Sequence, residues 1–116
     1  MKILHISETD ISGGAARATY RIHSALKSTN INSKILVNHK LSDDDLIIGP
    51  NTNYQKIMVR LRMLIANHIV KYQKSNNKIL HSPALFPSLW LNKINKSNVD
   101  LVNLHWVNAE MLSIKD

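Results

Sequence analysis

Cysteine is absent from the chain, so neither a disulfide framework nor a thiolate metal site is available to it. The six histidines are scattered without a ligand-spaced pair, and no metal and no cofactor is expected. Aromatic residues make up only 5%, and no basic, aromatic-rich strand exists to stack bases, so nucleic acid is not an expected partner despite a formal net charge of +7. Long apolar runs are missing too. The N-terminal stretch Ile3–Ile6 turns polar at Ser7, too soon for a signal peptide and far too short to cross a bilayer. The expectation is a soluble, cytoplasmic protein. What is present suffices for one globular domain: 116 residues, 44% hydrophobic and 20% charged.

Residues 2–7 are a short apolar run bounded by a glycine-bearing loop, the pattern of a buried parallel strand. A helical pattern follows from Ala15 to Thr29. At about 100° per residue, Ala15, Ala18, Ile22, Ala25 and Leu26 share one face, expected to meet a sheet, while Arg17, Arg21, Ser24 and Ser28 share the other. Lys34–Asn38 is a second apolar strand and closes a βαβ unit. A polar loop, a short strand at Leu46–Ile48 and the Gly49-Pro50 pair lead into a long helix over 53–74 that carries no acidic residue. There Ile57, Met58, Leu61, Leu64, Ile65, His68, Ile69 and Tyr72 fall within an arc of about 140°, which predicts a broad core-facing stripe. Residues 75–98 read as irregular, with a short helix around Ser88–Ile94, and Val99–His105 reads as another buried strand. The fold expected is α/β: a Rossmann-like parallel sheet with flanking helices. Ser113 and Asp116 match the capping pattern that opens a helix, and the chain stops there. Residues 1–116 are therefore expected to be a domain incomplete at its C-terminus.

A glycine turn before a helix presents unpaired backbone N–H groups and the positive end of the helix dipole, a combination that favours phosphate. Gly13 and Gly14, followed by Ala15 and Ala16, leave room for an anion to reach the backbone, and Arg17 lies in the first turn. Neither Gly-x-Gly-x-x-Gly nor Gly-Lys-Ser/Thr is present, so this is no dinucleotide fingerprint and no P-loop. A plain tight turn at the glycines and a solvated face for Arg17 are the ordinary alternatives. In open α/β sheets ligands sit beyond the carboxyl ends of the strands. Gly13 and Gly14 follow the first strand, and His105, Trp106, Val107 and Asn108 follow the last, so both groups are expected at one edge.

The opening residues 1–7, the loop and helix start Asp10–Ala18, and Val99–Asn108 together resemble family 4 glycosyltransferases of the GT-B fold, above all bacterial enzymes of capsular, exopolysaccharide or colanic-acid synthesis. The likeness continues through Ile48–Pro50 and the closing residues 112–116. The resemblance implies an N-terminal, acceptor-side domain whose donor-binding partner domain is absent. It implies a nucleotide-sugar donor, a saccharide or lipid-linked saccharide acceptor, and transfer with retention of anomeric configuration. Gly13 and Gly14 would face the donor diphosphate, and His105 would match the cleft histidine. The family often has His-x-His at this strand end; this chain has Asn103-Leu104-His105, so only His105 is carried over, with Arg17 and Asn108 as substrate-side neighbours. The alternative reading is a non-catalytic α/β module that binds a phosphate-bearing ligand.

The positive charge is concentrated. Lys56, Arg60, Lys71 and Lys74 fall within about 60° of the helical wheel of 53–74, beside a narrow apolar strip of Val59, Met63, Ala66 and Val70. Such a stripe suits docking on an anionic membrane surface, peripheral on the inner face of the cell membrane. The other reading is an ordinary solvated helix whose narrow strip packs under the 75–98 segment.

Overall fold

The computed structural model describes residues 1–72, 83–113 and 115–116. Its elements run β1 (Lys2–Thr9), α1 (Gly14–Ser28), β2 (Asn32–His39), β3 (Ile47–Ile48), α2 (Asn53–Tyr72), α3 (Leu91–Asn95) and β4 (Leu101–Leu104). The strands form one sheet in the order β3-β2-β1-β4, and every pairing is parallel. This is the α/β, Rossmann-like architecture that the alternating patterns predict. Lys74, at the end of the expected 53–74 helix, lies outside the described residues.

β1 is bonded on both sides, to β2 and to β4. Its run Ile3–Ser7 is buried without interruption, as expected of a strand covered on both faces. On one face Leu4, Ile6 and Leu36 pack with Trp90 and Met111. The Trp90 indole reaches a polar partner there, donating to Asn38 Oδ1 at 2.8 Å. On the other face Ile35, Val37 and Ile47 pack against Tyr20 of α1. β4 closes the sheet as an edge strand with Leu101, Val102 and Leu104 exposed.

Where β1 leaves the sheet, Asp10 is fully buried and its carboxylate accepts from the N–H groups of Ile11, Leu41 and Ser42 and from the Ser42 hydroxyl. Burial pushes its pKa up, but these donors outweigh that and hold it below the ordinary carboxylate value. At the neighbouring strand exit Gly49 passes so close to Lys40 that a Cβ would meet the lysine Cβ at 2.8 Å. Half of the capping pattern near residue 113 is made: the Asp116 carboxylate accepts from the Ser113 N–H at 2.8 Å, and from the Ser88 N–H at 2.9 Å. The Ser113 hydroxyl accepts from the Lys115 N–H, and no helix is seen among the described residues there.

Both helices present a different face to the protein from the one their hydrophobic pattern predicts. In α1 the buried residues are Ala16, Thr19 and His23, while Ala15, Ala18, Ala25 and Ile22 are exposed. Polar side chains line this face with hydrogen bonds of their own: Thr19 donates to the Ala15 carbonyl, and the His23 ring shares a 2.8 Å hydrogen bond at Nδ1 with the Ser33 hydroxyl. In α2 the buried residues are Val59, Arg62 and Ala66, and Met63 and Val70 are half-buried, so the narrow strip faces inward. The stripe of Ile57, Leu61, Leu64, Ile65, Ile69 and Tyr72 faces outward. What fixes this orientation is Arg62, whose guanidinium donates to the carbonyls of Pro87, Phe86 and Glu110 and lies 5.8 Å from the Phe86 ring. A side chain with five donors, satisfied by carbonyls, decides the buried face where a count of apolar residues cannot.

Ala66 is 2% exposed and Leu64 63%. Ala66→Asp is therefore expected to destabilise the chain by roughly 3 kcal/mol, whereas Leu64→Asp stays within about 0.5 kcal/mol, measured by urea unfolding. The reverse ranking would restore the orientation that the hydrophobic pattern predicts.

Candidate functional site

The β1 exit and the start of α1 form the first half of the site. Gly13 takes a φ of +89°, in the region that favours glycine, and turns the chain into the helix. No side chain caps this end and no acidic residue lies in the first turn, so the protein itself leaves the positive helix end uncompensated. A Cβ on Gly14 would meet nothing within 4 Å; the fold does not require glycine there, while close approach of a ligand to the backbone would. The loop is braced by Thr9, whose hydroxyl accepts from the Ser12 N–H at 3.0 Å. Ser7, Glu8, Thr9, Ser12–Ala16 and Trp106 line a cavity of about 280 Å³. The Ser7 hydroxyl on its wall is buried and has no hydrogen-bond partner. Arg17 is exposed on the first turn of the helix.

The second half comes from the residues after β4. The ladder runs on past the strand: the His105 N–H donates to the Ile6 carbonyl at 2.9 Å and the Glu8 N–H to the Trp106 carbonyl at 2.7 Å. His105 thus lies beside β1, with its Nε2 3.0 Å from Nδ1 of His5. Burial above all, then the neighbouring imidazoles of His105 and His23, push the His5 pKa down to about 4, so the ring is neutral at physiological pH. Burial also lowers the pKa of His105. His5 Nε2 is buried without a partner, and buried N–H groups are left unpaired more rarely than acceptors. The hydrogen-bond network therefore assigns the His5 proton to Nδ1, donating to His105 Nε2. His105 then carries its own proton on Nδ1, as a donor rather than a base.

His105 and Asn108 line a second cavity of about 480 Å³, together with Ala84, Trp106, Leu112 and others. Trp106 borders both cavities. Gly13, Gly14 and His105 thus share one sheet edge, as the strand-end argument predicts, but in adjoining cavities with Trp106 common to the two. Just beyond Asn108, Ala109 and Glu110 adopt φ values of +53° and +61°, unusual for residues with a Cβ. Glu110 is held there by its own bonds: its carboxylate accepts from the Leu85 and Phe86 N–H groups and its carbonyl from Arg62.

His5 and Ser7 are the site residues that sequence reasoning missed. Their signal was present as two polar residues at i and i+2 in an otherwise apolar strand, which a period of two sends to one face. Of the basic residues expected at a membrane surface, Lys56, Arg60 and Lys71 are exposed on α2. No protein-family model matches the chain, and no curated protein and no solved structure shows detectable similarity to it.

The pKa values of His5, His23 and His105 are all lowered by burial. From the ordinary value of 6.5 downward the unfolded chain binds protons at these rings that the folded chain refuses. Stability present at pH 7 is therefore expected to fall as pH drops from 6.5 toward about 4, the window set by His5. In His5→Gln the slope of unfolding free energy against pH should be shallower; an unchanged slope would mean that the ring is not buried in its neutral form.

Proposed function

We propose that this chain is the N-terminal, acceptor-side domain of a two-domain retaining glycosyltransferase, which moves a sugar from a nucleotide-sugar donor to a growing saccharide acceptor, lipid-linked during assembly. The observation that carries the reading is the uncapped start of α1 at Gly13, opening into a cavity on whose wall the Ser7 hydroxyl is buried and unpartnered. The backbone N–H groups at Gly14 and Ala15 and the helix dipole suit the charge that develops on a departing diphosphate. Arg17, one turn on, would add a bidentate contact. His105, held by His5 with its proton on Nδ1, would orient a sugar or acceptor hydroxyl by donating to it, and Asn108 would bind substrate from the same cavity. The resemblance of residues 1–18 and 99–108 to family 4 glycosyltransferases supports the same assignment. One feature favours a non-catalytic phosphate-binding module instead: the glycine loop and His105 line separate cavities.

Titration of the chain with pyrophosphate, followed by amide NMR, is expected to shift the signals of Gly13, Gly14 and Ala15 and the Trp106 indole. Gly14→Val should abolish those shifts with the fold intact, because a side chain at that position meets open space. The chain alone should transfer no sugar, since transition-state stabilisation needs donors from both sides of the cleft. In a protein that carries a donor-binding domain, His105→Ala should lower turnover by about 10²-fold, by far more than the lost His5 hydrogen bond lowers stability. Pyrophosphate binding with turnover untouched by His105→Ala would remove His105 from the chemistry. Absence of any shift at the glycine loop would sink both readings.

A further inference from the structure

α2 spans 20 residues, and its surface divides into three sectors. Val59, Arg62 and Ala66 mark the inward one. Tyr54, Ile57, Leu61, Leu64, Ile65, Ile69 and Tyr72 occupy an outward sector about 140° wide, and all seven are exposed. Between the two, within about 60°, lie Lys56, Arg60 and Lys71, also exposed. No acidic residue occurs anywhere in the helix. Tyrosines stand at both ends of the apolar sector, Tyr72 in edge contact with His68 at 5.1 Å. A soluble helix normally turns its broad apolar sector to the core; here Arg62 turns it to the outside. Among the described residues no helix is long and apolar enough to cross a membrane.

From this arrangement we propose that α2 is a docking surface for an anionic phospholipid bilayer, with the helix lying in the plane of the interface. The apolar sector would enter the boundary between headgroups and acyl chains, and the cationic margin would sit at headgroup level. Three features select this occupant. The margin carries charge of one sign only, which complements anionic headgroups. Tyrosines at each end suit the interface, where one side of a ring is apolar and its hydroxyl is wet. An antiparallel second copy of the same face is disfavoured, because that pairing would bring two sets of three cations together without an acidic side chain on either helix to neutralise them. The proposal rests on α2 alone and is independent of any transferase activity.

The experiment is co-sedimentation of the chain with phosphatidylcholine vesicles, with and without phosphatidylserine, across a salt series, alongside light scattering to follow oligomeric state. Binding is expected to the phosphatidylserine vesicles and to weaken by about tenfold or more between low and roughly 0.5 M salt, as the cationic margin is screened. The combined variant Lys56→Glu, Arg60→Glu, Lys71→Glu should lose the preference for phosphatidylserine. Leu61→Asp with Leu64→Asp should lose vesicle binding altogether while circular dichroism shows a folded chain, because both side chains point outward. Binding that survives the leucine pair would remove α2 as the surface. Equal binding to neutral vesicles would overturn the anionic assignment. Failure to bind at low salt overturns the proposal, and a concentration-dependent dimer that the leucine pair dissolves would identify the occupant as a second copy.

Discussion

Asp10 sits at the one point where two excursions of the chain must be held together. β1 leaves the sheet there toward the glycine loop, and β2 leaves it at the same end toward β3. The carboxylate accepts hydrogen bonds from both, taking N–H groups from its own strand exit and from Leu41 and Ser42. A buried carboxylate is tolerable because its oxygens are this well satisfied; without it the N–H groups of Ile11, Leu41 and Ser42 would lose their common acceptor at once. The position of Gly13, and with it the direction of α1, depends on this clasp.

α1 is then laid over a face of the sheet that is polar in its centre. His5, Ser7 and Ser33 come from the strands and Thr19 and His23 from the helix, all of them buried. Part of this layer satisfies itself, as the His23 ring does at Nδ1 with the Ser33 hydroxyl. Part does not: among the described residues His5 Nε2, Ser7 Oγ and His23 Nε2 are buried with no hydrogen-bond partner. An ordinary core would place leucine or valine at such positions for less free energy. Two of these three atoms belong to His5, beside His105, and to Ser7, on the wall of the glycine-loop cavity, where polar groups facing a ligand would be of use.

The sheet was readable in the amino-acid pattern because short apolar runs bounded by polar turns mark strands whatever packs on them. Residues 2–7, 34–38 and 99–105 all fall on strands or their immediate ends, although the last run, expected to be buried, forms an exposed edge strand. The helices were readable as helices but not in their orientation. Ile22 and Leu64 look like core residues by periodicity and are exposed, while His23 and Arg62 look like surface residues and are buried. Burial of a polar side chain depends on partners distant in sequence: Ser33 for His23, and the carbonyls of residues 86, 87 and 110 for Arg62. The same limit hid the histidine pair, since nothing local to His5 indicates that residue 105 lies 3.0 Å away. Gly13, Gly14 and His105 could be assigned to one edge because parallel topology alone dictates that.

The pairing of β1 with β4 has a kinetic consequence. Ile3 lies opposite Leu101, and the Lys2 N–H is bonded to an Asp100 oxygen 98 residues away. β1, α1 and β2 by contrast close within the first third of the sequence. Contacts of large sequence separation are bought with loop entropy before they return any free energy, so they tend to form after local ones. The β1–α1–β2 unit would then act as the template to which β4 is added last. His105 and Trp106 would reach the glycine loop only with that final step, making the completed sheet edge the slowest part of the molecule to assemble.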